Sequence, residues 1–284
     1  MAENSNLMDY SKSSPDNPAL LAINLLVRPV EIQKKHPYPV WWGKAAHKCF
    51  LDMIAAKSPP MAEKIHNGLH QPRPFTASSL LGYSHERLFA SNSFGLRFTI
   101  LTPEISGVTL QALSSGEVWG QNRVIELDHT PFRILENSIE FAMVSYKNLL
   151  VQPSPGVEMI FKFISPTGFT NRGSLRKFSP EPISVYQSLI QRWQEITRIA
   201  LPVDMLMDFI ANHVVLASSD CAVETIKISP KISIQGFKGE AKYVLTSNNA
   251  AMAKWLHCLG LFSNYCGVGA KTSWGFGQCV YHQG

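Results

Sequence analysis

The chain has 284 residues, 45% of them hydrophobic and 17% charged, with a formal net charge of +5 and a pI near 8.9. This is a soluble globular composition, long enough for one large domain or two ordinary ones. It excludes a membrane span, because no run approaches the roughly 18 apolar residues that one needs. The opening residues, MAENSNLMDYSKSSPDNP, are polar and lack a secretory signal pattern, so a flexible leader over 1–18 and a cytoplasmic address are expected. The five cysteines, Cys49, Cys221, Cys258, Cys266 and Cys279, are odd in number and form no C-x-x-C pair. That argues for reduced thiols rather than a disulfide framework or a cysteine metal site.

In chain order, LLAINLLVR (Leu20 to Arg28) is a short apolar run that predicts a buried strand. Lys44 to Lys57 has helical spacing through Ala46, Phe50, Met53 and Ile54. The proline-rich stretch from Ser58 to Gly82 reads as a long connection holding one helical turn. FGLRFTILT (Phe94 to Thr102) alternates like a strand, Pro103 to Ser114 reads as a helix, and Arg123 to Leu127 as a short strand. After QPSPG (Gln152 to Gly156) a second round begins. Val157 to Ser165 is a strand, Pro182 to Ala200 a helix, AVETIKISPKISIQG and EAKYVLT are strands, and NNAAMAKWLHCLGLFSNYC is an asparagine-capped helix. The last strand lies in WGFGQCVYH.

Each half thus reads strand, helix, strand, strand, helix, strand. That pattern predicts an α+β protein of two tandem ferredoxin-like (βαββαβ) domains, 19–152 and 153–284.

Charge is unevenly placed. From Thr225 to Gly284 there are six lysines and one acid, a net +5 that equals that of the whole chain. Such a segment suits a polyanion such as nucleic acid, or forms a solvated lysine-rich face. Within it lies GVGAKTSWGFG, with Gly267, Gly269, Gly275 and Gly277 around Lys271, Thr272 and Ser273. The phosphate-loop pattern fails because Ala270 precedes Lys271, and the dinucleotide pattern fails because Thr272 stands where a third glycine belongs. What remains is a helix-to-strand loop whose free amides would form an anion-binding nest, or which has a packing role only.

This loop in its terminal setting resembles that of the CRISPR-associated repeat-processing endoribonucleases of the RAMP superfamily. GFKGEAKYVL, SPEPISVYQSLIQRW, GKAAHKCFLDMI and RPFTASSLLG resemble further parts of that family. The resemblance implies a metal-independent endoribonuclease that takes CRISPR repeat RNA, with no cofactor. The 2′-hydroxyl attacks the adjacent phosphorus, leaving a cyclic phosphate and a 5′-hydroxyl. Partners would be the precursor RNA, with CRISPR effector subunits or a second copy of the chain as further options, and no membrane.

Such chemistry needs a base, an acid and positive charge, and a histidine near its unperturbed pKa of about 6.5 serves either proton transfer. His47 lies at the edge of its helix's apolar face, and the family places a catalytic histidine in this helix in many members. The resemblance implies a supporting tyrosine and lysine, for which Tyr38 and either Lys48 or Lys57 are the candidates, and His36 is the reserve catalyst. Lys44, Lys238 and the loop residues are candidate RNA contacts, as are Arg172, Arg176 and Lys177 in TNRGSLRKF. His66 and His70, four apart, have no third ligand nearby, so no metal site is expected. Two alternatives stand beside the nuclease: a non-catalytic RNA-binding RAMP subunit, and an unrelated ferredoxin-like enzyme acting on a small anion.

Overall fold

A computed structural model describes residues 19–33, 36–68, 73–116, 119–120, 122–151, 156–171, 174–197, 199–229 and 232–283. The expected leader over 1–18 and the junction at 152–155 lie outside them.

In the first half, β1 (Ala19–Pro29) is followed by α1 (Gly43–Lys57), α2 (Pro59–Asn67), β2 (Phe75–Ala77), α3 (His85–Phe89), β3 (Phe94–Ile100) and α4 (Pro103–Ser115). Then come β4 (Val124–Leu127), β5 (Thr130–Ile134), β6 (Glu140–Ser145) and α5 (Tyr146–Val151). The sheet runs β2-β3-β1-β5-β4 with every pairing antiparallel. β1 is 11 residues long, so two strands share one of its edges: β6 pairs with Ala19 to Asn24 and β5 with Val27 to Pro29. Phe50, Met53 and Ile54 of α1 are fully buried in the same core as Leu21, Ile23 and Phe98 of the sheet.

The second half repeats the plan with β7 (Glu158–Thr167), β8 (Phe169–Asn171), β9 (Ser174–Lys177), α6 (Pro182–Ile196), α7 (Val203–His213) and β10 (Val214–Ser219). It closes with β11 (Ala222–Ser229), β12 (Ile232–Leu245), α8 (Ala250–Cys266) and β13 (Cys279–Gln283). The sheet order is β10-β12-β7-β13, with β11 also on β12. Met159, Phe161 and Phe163 of β7 are buried in one core with Tyr186, Leu189 and Trp193 of α6 and with Leu256, Leu259 and Phe262 of α8. Both halves are therefore ferredoxin-like, as the strand–helix pattern predicts.

Two departures have a common cause. The stretch after α1 contains the nine-residue α2 rather than a single turn, and α7 was not foreseen. Prolines occupy the first positions of α2, and Pro202 caps α7. Proline reads as a breaker but fits a helix start, where its missing N–H has no partner to lose. By contrast Asn249 caps α8 as expected, its Oδ1 accepting from Met252 N at 3.2 Å.

The halves are docked. Arg97 Nη2 donates to Asn264 O (2.8 Å). Thr99 Oγ1 donates to Tyr265 O.

Candidate nucleic-acid interface

The glycine loop leaves α8 at Gly267 and ends at Gly277, just before β13. All four of its glycines have positive φ, between 65° and 89°. Lys271 also sits in the left-handed region at φ 60°, and a one-turn 3-10 helix, Thr272–Trp274, follows it. Gly277 shows why glycine is needed: a Cβ there would lie 2.0 Å from Val268 O.

The amides of the loop turn inward. Val268 N donates to Gly277 O (2.8 Å), Ala270 N to Gly168 O (3.0 Å), Gly277 N to Pro166 O (3.0 Å) and Gly269 N to Ser188 Oγ (2.8 Å). The nest suggested by the glycine spacing is thus largely closed by the protein itself. What the loop offers outward is side chains and carbonyl oxygens.

Those groups meet the start of α1. Trp41 Nε1 donates to Trp274 O at 2.7 Å, and Trp41 packs at a tilt against Phe276 with ring centres 4.8 Å apart. A Cβ on Gly43 would lie 1.8 Å from Trp274 O, so only glycine lets the helix come this close. His47 Nδ1 lies 3.1 Å from Ser273 O. A carbonyl only accepts, so this contact puts the proton on Nδ1 and leaves the Nε2 lone pair for a ligand.

His47 is partly buried, with its ring 5.1 Å from that of Phe75. Burial lowers its pKa to about 4. The Ser273 carbonyl pulls the other way, and the charges of Arg73 and His66 lower it further.

Two cations converge on Trp274. Lys44 Nζ lies 4.8 Å and Lys271 Nζ 4.6 Å from its ring centre. Burial, then the Lys44 charge, lowers the Lys271 pKa. Two ammonium groups held against each other are set to welcome an anion between them.

The other candidates sit around or apart from this centre. Gly168, which accepts from Ala270, leads into the β8–β9 hairpin, whose last strand carries Arg176 and the exposed Lys177. Arg172 lies outside the described residues. Lys238 is exposed on β12, next to Phe237, which pairs with Thr167. Thr272 and Ser273 are buried within the loop. Tyr38 belongs to another cluster: its hydroxyl accepts from Gln33 N (2.8 Å), and its ring packs on His36, Trp42 and Phe89. Lys48 pairs with Asp52 (2.6 Å) on the exposed side of α1. His66 is exposed near the end of α2, and His70 lies outside the described residues.

Sequence reading missed Trp274 and Arg192. Arg192 is 7% exposed, and its guanidinium grips the loop from beneath through Cys266 O (2.9 Å), Thr272 Oγ1 (2.8 Å) and Gly269 O (3.1 Å). A signal was present, because Arg192 continues the buried stripe of Val185 and Leu189 at helical spacing.

On a tandem ferredoxin-like fold, His47 and Lys44 of α1 thus meet Lys271 and Trp274 of the glycine-rich loop. Residues 161–279 match the family model described as CRISPR-associated endoribonuclease Cas6. The structure is similar to a Cas6 product complex (TM-score 0.75, 22% identity, 93% of this chain and 99% of the other). It is also similar to Thermus thermophilus Cas6 (TM-score 0.68, 22% identity, 93% and 99%). A Cas6-related protein from Pyrococcus furiosus is more distant (TM-score 0.58, 13% identity, 93% and 98%). No curated protein matches the chain. Among the described residues no helix is long and apolar enough to cross a membrane.

Proposed function

We propose that the chain cuts CRISPR repeat RNA without a metal, with His47 as the proton-transfer group. The observation that carries this reading is the 3.1 Å contact between His47 Nδ1 and Ser273 O of the glycine loop. It leaves Nε2 unprotonated beside a cationic, aromatic surface.

In the free protein the imidazole is neutral at physiological pH, ready to accept the proton of the 2′-hydroxyl. The 2′-oxygen then bonds to phosphorus, the bond to the 5′-oxygen breaks, that oxygen takes a proton from solvent, and the imidazolium returns its proton to solvent. No water is consumed, and the ends are a cyclic phosphate and a 5′-hydroxyl. Lys44 and Lys271 neutralise the phosphate as negative charge grows on it. The same phosphate raises the His47 pKa from about 4 toward neutrality, because an adjacent anion favours the imidazolium. The Ser273 carbonyl accepts from that imidazolium. Trp274 offers a face on which an unpaired base stacks. Arg176, Lys177 and Lys238 carry the flanking backbone as sequence-independent contacts.

The test is incubation of the purified protein with its own repeat RNA and excess EDTA, beside His47→Ala. One discrete cut ending in a cyclic phosphate, lost in the variant, is the expected result. Equal cutting by the variant refutes the role of His47. Tight binding with no cut by either protein reassigns the chain to the non-catalytic RNA-binding RAMP subunits.

A further inference from the structure

Arginine is an unusual occupant of the buried face of an amphipathic helix, since a guanidinium carries five donors that must all be answered. Arg192 of α6 answers with neutral oxygens: Cys266 O and Thr272 Oγ1 on Nη1, and Gly269 O on Nη2. One turn earlier on the same face, Ser188 Oγ accepts from Gly269 N at 2.8 Å. The Gly269 residue is therefore held through both its N–H and its C=O by a single helix. Thr272, the third contact, is the immediate neighbour of Ser273, whose carbonyl meets His47.

We propose that Arg192 is a positioning residue for the cleavage reaction: through Gly269 and Thr272 it fixes the direction of the Ser273 carbonyl, and so the tautomer and ring orientation of His47. This rests on the assignment of His47 as the proton-transfer group. Arg192 lies beneath the loop and touches no RNA. Lysine at this position reaches fewer of the three oxygens, because it is a point charge rather than a planar fork. The charged groups that bear on His47 are Arg73 and His66, which lower its pKa; Lys44 and Lys48 lie on its own helix. None of them is altered by changing Arg192.

The test compares Arg192→Met, Arg192→Lys and Ser188→Ala with the parent protein. Cleavage kinetics are read together with the histidine ring 15N shifts, the His47 signal being assigned from its absence in His47→Ala. In Arg192→Met the expected kcat falls by about 10- to 100-fold with the KM for repeat RNA within about threefold, the size of a reaction group displaced by about an ångström. The Nδ1–H signature of His47 is expected to become a mixture of tautomers. Arg192→Lys recovers part of both, and Ser188→Ala shifts both in the same direction by less. Should Arg192→Met fail to fold, the two milder variants decide. The proposal is overturned if those variants leave the tautomer and kcat unchanged, or if the loss falls on KM while the His47 signals stay put. Failure of the His47 assignment is separate, since it shows as normal cleavage by His47→Ala.

Discussion

The lowered pKa of His47 makes the stability of the protein depend on pH in a calculable way. Burial keeps the imidazole neutral in the folded chain down to about pH 4, whereas in the unfolded chain it protonates at its ordinary 6.5. Below pH 6.5 the unfolded state therefore binds a proton that the folded state refuses, and stability falls as pH drops toward 4. Between about pH 7.5 and about pH 5 the integrated difference for this one group is about 2 kcal/mol. The comparison is His47→Asn, which keeps a side-chain N–H near the Nδ1 position but does not titrate. Urea unfolding of both proteins is followed at each pH by tryptophan fluorescence. The parent should lose about 2 kcal/mol more than His47→Asn over this interval, with all other titrating groups cancelling. A difference below about 0.5 kcal/mol, or greater loss in the variant, refutes the reasoning. Adding RNA should raise the native-state pKa, which the ring shifts report directly.

Gly43→Ala pushes a methyl group into Trp274 O. The loop must lift, and the hydrogen bonds of Trp41 and His47 to it weaken, so a loss of about 2 kcal/mol in denaturant unfolding and a tenfold or greater fall in cleavage are expected. Lys271→Met should weaken RNA binding about equally for all sequences and reduce the slope of log affinity against log salt by about 0.7–0.9, read from binding across a salt series. Lys48→Ala breaks an ion pair whose side chains are 72% and 60% exposed, so thermal unfolding should change by less than about 1 kcal/mol. A large fall in cleavage by that variant at unchanged stability would instead make Lys48 a substrate contact.

The sequence carried the fold in its periodicities. The stripe of Phe50, Met53 and Ile54 marked α1, and the alternation through Phe94, Leu96 and Phe98 marked β3. It carried half of the site as well. His47 stood out at the edge of an apolar face, and the glycine loop stood out by composition. That the two meet was invisible, since residues 226 apart in sequence are joined only by packing of the two halves. The inward turn of the loop amides was hidden for the same reason. Glycine spacing reports backbone freedom, and Gly168, Pro166 and Ser188, which absorb that freedom, lie elsewhere in the chain. Arg192 was passed over because charge in a helix is read as solvent-facing unless its heptad position is checked.

The histidine and the oxygen that orients it come from opposite halves of the molecule. A slide of one half over the other by a single ångström would stretch 3.1 Å beyond hydrogen-bonding range and release the imidazole. His47 is in this sense a gauge of seating, with a reading that is chemical rather than mechanical: under the proposed function, a mis-seated molecule would still bind RNA through its lysines but hold a randomly oriented base. On that proposal one bond checks both assembly and catalysis, so a protein that folds each half correctly but joins them poorly is expected to capture its RNA and leave it whole.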